Sequence, residues 1–265
     1  MPLNQTGRPA AGLGRPFGCE HGAGCHSGAE AAVGTAPEQA RSWLLIEHDG
    51  PWPADATEAG LPGPLSKLAV GAAELGIRVQ LIRRPGRRRQ RPAGEPGGPG
   101  GRGQSPAVFV GWTAGSSPWL RHGDAAAAGD LAEQLDGLPD GAAPEFGEPA
   151  AGPLYLVCAH GRRDVCCARL GGPLARALST AHPARVWETT HVGGHRYAAN
   201  LVILPHGLYY GPVDAAAAAA AAAAYERGEV APGRYRGRAG QPHGEQAERY
   251  QQMAAADAFG LAGLG

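Results

Sequence analysis

Net charge, long apolar runs and cysteine are all scarce in this 265-residue sequence. Lys and Arg together number 24, as do Asp and Glu, so the chain has no overall field to attract nucleic acid or an anionic membrane. No segment has the apolar length of a signal-peptide core or a membrane span, and we therefore expect a cytoplasmic protein with no membrane partner. Five cysteines are sparse and odd in number. They fit thiols that bind metal or do redox work in a reducing compartment better than a secreted disulfide framework.

Hydrophobic periodicity predicts an α/β protein in which one order of elements occurs twice. In the first half, strands are predicted over 42–48, 77–82 and 107–112, and helices over 65–76 and around 124–137. In the second half, strands are predicted over 153–159 and 184–190, two more within 200–213 around a Pro-His-Gly turn, and helices over 168–181 and from 215. Asp214 is predicted to cap the last of these helices, which is built mainly of alanine.

A strand, a crossover helix and further strands in each half predict two tandem thioredoxin-like units with mixed sheets flanked by helices. The predicted organisation is a flexible Gly, Ala and Pro-rich arm over 1–40, an N-terminal unit over 41–150 and a C-terminal unit over 151–265. A flexible insertion over 82–106 is rich in Arg, Gly and Pro. Because no aromatic residues lie among its arginines for base stacking, we interpret it as a solvated loop and expect no nucleic-acid partner.

Cysteine and histidine concentrate in two stretches, CAHGRRDVCCARLGGP and THVGGHRYAAN. Cys158 ends a predicted strand, and Cys166 and Cys167 fall at the start of the next helix, where unpaired amides and nearby arginines favour the thiolate. His191 and His195 have the i and i+4 spacing of a zinc-protease helix, but no glutamate follows His191 to act as general base. The two glycines between the histidines instead predict a tight loop that directs both rings to one centre.

Two thiolates and two imidazoles form a ligand set that suits either a zinc ion or a two-iron, two-sulfur cluster. The loop between Cys158 and Cys167 is longer than a zinc knuckle, which favours the larger cluster. A structural zinc-binding interaction module therefore stays as one alternative. A thiol-disulfide oxidoreductase is a second alternative, although no CxxC pair stands at the helix start and the vicinal Cys166 and Cys167 are a poor substitute.

Longer stretches around these residues resemble the sucrase/ferredoxin-like proteins. The resemblance is carried by LVCAHGRRDVCCARLGGP, VWETTHVGGHRYAANLVILPHGLYYG and YRGR, and in the first half by GTA and LLIEHDGPWP. It implies that the C-terminal unit is a thioredoxin-like ferredoxin whose [2Fe-2S] cluster is held by Cys158, Cys167, His191 and His195. It also favours Cys167 over its neighbour Cys166 as the second thiolate ligand.

The resemblance implies a one-electron carrier and not an enzyme, with a redox protein of unknown identity as its partner. Two neutral imidazoles in place of two anionic thiolates make a cluster less negative, so we expect easier reduction than in an all-cysteine ferredoxin. For Asn200 and Arg196 two roles stay open: they orient an imidazole or add positive charge near the cluster, or they have plain structural roles. Cys19 and Cys25 are a weaker candidate for a second metal site, and no catalytic residue is predicted.

Overall fold

The computed structural model describes residues 33–86 and 105–264. The predictions for residues 1–32, including the Cys19 and Cys25 pair, and for residues 87–104 of the insertion lie outside the described residues. Residues 33–40, which the sequence assigned to the arm, pack against the rest of the chain, and Ala36 and Ala40 are buried. Within the described ranges, no helix has both the length and the apolar character needed to cross a membrane.

The described residues have a mixed α/β architecture, as the periodicity predicted. The strands are β1 (Ser42–Glu47), β2 (Arg78–Arg83), β3 (Ala107–Trp112), β4 (Trp119–Asp124), β5 (Glu148–Pro149), β6 (Leu154–Cys158), β7 (Val186–Thr189), β8 (Leu201–Leu204), β9 (Leu208–Tyr210) and β10 (Tyr235–Arg238). The α-helices are α1 (Gly63–Glu74), α2 (Ala128–Ala132), α3 (Val165–Ser179), α4 (Ala215–Glu226) and α5 (His243–Ala255). Asp214 caps α4 as predicted, because its carboxylate accepts a hydrogen bond from the N–H of Ala217.

All of these strands join one sheet in the order β10-β9-β8-β6-β7-β2-β1-β3-β4-β5. The parallel pairs are β1 with β2 and β6 with β7, and a helix connects the two strands of each pair. β3 is antiparallel to β1 and to β4, and β8 is antiparallel to β6 and to β9. The sets β2-β1-β3-β4 and β7-β6-β8-β9 therefore repeat one order with the same strand directions, and they meet where β2 pairs antiparallel with β7.

Four elements have no counterpart among the sequence predictions: β4, β5, β10 and α5. Their sequences are poor in apolar residues at a regular period: β10 reads YRGR, and α5 reads HGEQAERYQQMAA and buries only Gln246 and Met253. The helix predicted around 124–137 is also much shorter than expected. Only Ala128–Ala132 is α-helical, with 3-10 turns on both sides. Gly129 and Gly137 lower the helix propensity of this segment.

The Pro-His-Gly turn between β8 and β9 carries a partly buried titratable ring, that of His206. Burial, with a smaller effect from Arg238, lowers the pKa of His206 from 6.5 to about 4. Between about pH 6.5 and 4, this histidine is therefore protonated in the unfolded chain but not in the folded chain. The free energy of unfolding consequently falls as the pH is lowered through that range. The ring is partly exposed and screened, and we expect a loss of about 1–2 kcal/mol.

His206→Gln is the matched variant for this prediction, because it removes the titration from the same turn. Denaturant unfolding of both proteins between pH 7 and pH 4 should show a steeper loss of stability for the wild type, since all other titrating groups are shared. Parallel stability curves for the two proteins would contradict a depressed pKa at His206.

Candidate metal centre

The end of β6 and the start of α3 position the two buried cysteines. Cys158 is the last residue of β6, and Cys167 lies in the first turn of α3. The Asp164 carboxylate caps this turn by accepting hydrogen bonds from the N–H groups of Cys166 (2.8 Å) and Cys167 (3.4 Å). One turn further on, a side chain at Gly171 would overlap the Cys158 carbonyl group, so glycine lets α3 lie this close to β6.

Three of the four predicted ligands converge. The Sγ atoms of Cys158 and Cys167 and the Nδ1 atom of His191 all lie within 4.8 Å of one another. The distances from the two Sγ atoms to Nδ1 are 3.9 Å and 3.8 Å, respectively. Both cysteines are buried and His191 is partly exposed. His195 is exposed and lies outside this group, with its ring centroid 6.4 Å from that of His191.

The two buried cysteines shift each other's pKa in opposite directions. A hydrogen bond from the Cys167 thiol lowers the pKa of Cys158 well below its ordinary value, against the opposing effect of burial, and His191 lowers it further. The same hydrogen bond, together with burial, raises the pKa of Cys167. Cys158 is therefore the more acidic of two buried thiols that lie next to an imidazole. Cysteine binds metal as the thiolate, so a lowered thiol pKa favours metal binding.

His160, which the sequence did not assign as a ligand, supports the backbone of His191. Its Nδ1 atom accepts a hydrogen bond from the N–H of His191 at 3.2 Å, and its ring lies edge-on to Trp52 with 6.0 Å between centroids. Burial lowers the pKa of His160, although the nearby Cys158 opposes this effect. A neutral ring can accept a hydrogen bond at Nδ1, as this contact requires.

Side chains from three strands or loops hold the backbone of the His191-Val-Gly-Gly-His195 loop. Arg78 on β2 donates to the carbonyl of His191 at 3.1 Å, and Asn200 donates to the carbonyl of Gly194 at 3.0 Å. The hydroxyl of Tyr209 donates to the carbonyl of Val192 at 3.1 Å. Asn200, for which the sequence left a supporting and a structural role open, contacts the backbone of this loop and not an imidazole ring. Arg78 and Tyr209 carried no sequence signal that separated them from ordinary strand residues.

Arg236 on β10 completes the support from beneath the loop. It donates to the carbonyl of Gly193 at 3.4 Å and to Oδ1 of Asn200 at 2.6 Å. Gly194 has a φ of 69°, and a side chain there would overlap the Arg236 guanidinium. The paired glycines thus allow both the turn and the close approach of a cation. Sequence reasoning missed Arg236, although it lies in the YRGR stretch that carried part of the family resemblance.

The sequence model of the family described as Sucrase/ferredoxin-like matches residues 105–237, half of the chain. The chain belongs to the sucrase/ferredoxin-like family. A relative is "Altered inheritance of mitochondria protein 32" of Meyerozyma guilliermondii, which is 37% identical over 70 residues. That match covers 23% of this chain and 25% of the relative, so the chain spans about a quarter of the relative's length. No solved structure matches the chain.

The donor set of this family member suits a soft or borderline metal. Thiolate and imidazole select zinc, copper(I) or an iron–sulfur cluster, whereas magnesium and calcium prefer oxygen ligands. The lowered pKa of Cys158 and the convergence of both Sγ atoms with Nδ1 of His191 are the features expected of residues that bind a cation. The residues present therefore fit a metal centre built on sulfur and nitrogen.

Proposed function

We propose that this sucrase/ferredoxin-like protein binds a [2Fe-2S] cluster and carries single electrons to or from a redox protein. The proposed ligands are Cys158, Cys167, His191 and His195. The observation that carries the proposal is the convergence of two buried cysteines with the imidazole nitrogen of His191. The ferredoxin-like description of the family supports the cluster over other metal centres.

The proposed site has one buried side, formed by the cysteines, and one solvent-exposed side, formed by the histidines. Cys158 and Cys167 are buried, so they would hold the metal and keep water from the sulfur ligands. His191 is partly exposed and His195 is exposed, so the histidine side offers a partner protein its point of closest approach. When bound, the cluster supplies a one-electron redox couple whose potential depends on ligand charge and hydrogen bonding.

We also propose that each half of the sheet is a thioredoxin-like unit, with the cluster in the C-terminal one. The sets β2-β1-β3-β4 and β7-β6-β8-β9 share one strand order, and in each a helix connects the two parallel strands. The proposed ligands come from the end of β6, the first turn of α3 and the loop after β7. Ligand sites in open α/β sheets commonly lie at such strand ends.

A single zinc ion is the second candidate, and one observation favours it. At tetrahedral zinc, bond lengths of about 2.3 Å to sulfur and 2.0–2.1 Å to nitrogen put ligand atoms of the two kinds about 3.6 Å apart. The sulfur–nitrogen distances of 3.9 Å and 3.8 Å at Cys158, Cys167 and His191 are close to that separation. A thiol-disulfide oxidoreductase is less well supported, because the converging thiols of Cys158 and Cys167 are both buried. Reactive thiols need access to their substrate.

Anaerobic purification followed by metal analysis tests the proposal. We expect a coloured protein with two iron atoms and two acid-labile sulfides per chain, because a [2Fe-2S] cluster has that composition. The same sample is analysed for zinc by mass spectrometry. A colourless protein that contains stoichiometric zinc would overturn the cluster and leave the zinc-binding module as the function.

A further inference from the structure

The guanidinium group of Arg236 is buried against the loop His191-Val-Gly-Gly-His195, which we call the histidine loop. Arg236 is 1% exposed and forms four hydrogen bonds, all to neutral acceptors. Two go to Thr35, at 3.0 Å to Oγ1 and 2.7 Å to the carbonyl, and the others go to Gly193 and Asn200. Within the described part of the chain, no carboxylate forms an ion pair with Arg236.

Aromatic rings surround the rest of the guanidinium group. Its Cζ atom lies 4.5 Å from the ring centroid of Tyr197 and 5.5 Å from that of Tyr209. Burial lowers the pKa of Arg236 to about 10, so the side chain stays protonated at neutral pH. A buried charge normally needs a paired countercharge to offset its desolvation. Arg236 has hydrogen bonds and aromatic faces in place of a carboxylate. Because no negative group among the described residues neutralises it, its positive charge contributes to the electrostatic potential at neighbouring groups.

The candidate metal ligands nearest to Arg236 are those of the loop that contains His191 and His195. Arg236 contacts this loop at Gly193, which lies between the two histidines, and reaches Gly194 through Asn200. Arg78 and Arg196 also lie near the loop, but Arg78 is partly exposed and Arg196 is exposed, so water and salt screen their charges more strongly. Arg236 is the cation of this region that solvent screens least.

We infer that Arg236 is an electrostatic positioning residue that raises the reduction potential of the metal centre. The inference rests on the proposed [2Fe-2S] function. Reduction adds one negative charge to the centre, and a fixed positive charge in a buried, poorly screened place stabilises that charge. The hydrogen bond to Gly193 also fixes the loop, so the charge and the histidines keep a constant separation.

Arg238 provides a matched control on the same strand. It is also 1% exposed, and its guanidinium donates to the carbonyls of His206, Leu264, Thr113 and Gly115. None of these residues belongs to the histidine loop. Replacing Arg238 should therefore cost stability through lost hydrogen bonds, as replacing Arg236 does, without removing a charge beside the metal centre.

The test compares the purified wild type with Arg236→Met, Arg236→Lys and Arg238→Met. Iron content and visible absorption establish loading first, and a redox titration then gives the potential of each loaded protein. We expect Arg236→Met to lower the equilibrium constant for reduction by about tenfold, a shift of 59 mV for a one-electron couple. Arg236→Lys, which keeps the charge, should recover most of that loss, and Arg238→Met should leave the potential unchanged.

Asn200→Asp is a second way to cancel the charge if Arg236→Met does not fold. It places a carboxylate against the guanidinium at a contact of 2.6 Å and should lower the potential in the same direction. Equal potentials in wild type and Arg236→Met, or an equal shift in Arg238→Met, would overturn the role of Arg236 while leaving the cluster in place. A wild type that holds no iron would overturn both this inference and the proposed function.

Discussion

Replacing Cys158 or Cys167 with serine is expected to abolish metal binding, whereas replacing Cys166 should leave it nearly intact. Replacing a residue that only orients a metal ligand costs roughly 10–100-fold in metal affinity. The loss of a thiolate ligand itself should therefore lower the affinity by more than roughly 100-fold. Cys158 and Cys167 are buried with their sulfur atoms near Nδ1 of His191. Iron and sulfide content per chain, with the visible spectrum, measures the effect.

Cys166→Ser is the matched control because it makes the same atomic change at the neighbouring position of one helix. Successive helix residues point about 100° apart, so only one of the adjacent thiols can face His191. Cys167 does so at 3.8 Å, and Cys166 is partly exposed with its pKa raised by burial and by Asp164. Loss of the metal in Cys166→Ser, with retention in Cys167→Ser, would show that the ligand had been assigned to the wrong cysteine.

The histidines separate the two metal candidates within the same experiment. His191→Ala should remove either kind of centre, because its Nδ1 atom lies with the two thiols. His195→Ala should abolish a cluster that needs both imidazoles. A single zinc ion held by Cys158, Cys167 and His191 would survive that substitution with water in its fourth position.

The sequence predicted the parts of the fold that have a clear apolar period. Strands near 42, 107 and 154 and helices near 65, 168 and 215 are present, because buried runs such as SWLLIE and LYLVC and the alanine helix give strong local signals. The joining of both halves in one sheet was not predictable. It depends on β2 meeting β7 across more than a hundred residues of sequence, and strand periodicity contains no information about such a partner.

The candidate site divides in the same way. Cys158 and His191 could be named from residue type and spacing, since thiols and imidazoles have few other uses together. The choice of Cys167 over Cys166 needed the family resemblance. The arginines that hydrogen-bond to the histidine loop could not be identified from residue type and spacing. Arg78 and Arg236 lie in short strands, and a charged residue there is normally assigned to the surface. Only the fold brings them next to the loop, where they donate hydrogen bonds to the carbonyl groups of His191 and Gly193.

Glu188→Gln is expected to destabilise the protein by about 3–5 kcal/mol, because it leaves a buried arginine without its countercharge. Arg83 on β2 and Glu188 on β7 are register partners where the halves of the sheet meet, with Nε and Oε2 2.8 Å apart. Their side chains are only 9% and 5% exposed. The Arg83 guanidinium also lies 3.9 Å from the ring centroid of Trp52, so it cannot move to solvent without losing that contact.

Chemical denaturation measures this effect, and an exposed pair on the same protein calibrates it. Arg227 and Glu229 are also 2.8 Å apart, but their side chains are 60% and 48% exposed. Glu229→Gln should therefore cost less than about 1 kcal/mol. Equal losses in the two glutamine variants would contradict a buried, structurally important pair at the junction.

The double variant Arg83→Met, Glu188→Leu separates the charge imbalance from the shape of the junction. Replacing both members of a buried ion pair with apolar residues is often neutral, whereas removing one member is costly, so the double variant should recover much of the stability lost in Glu188→Gln. Glu188 lies in β7, only three residues before His191 in the sequence. A weakened junction should therefore also loosen the metal centre, and Glu188→Gln should release its metal to a chelator faster than Glu229→Gln does.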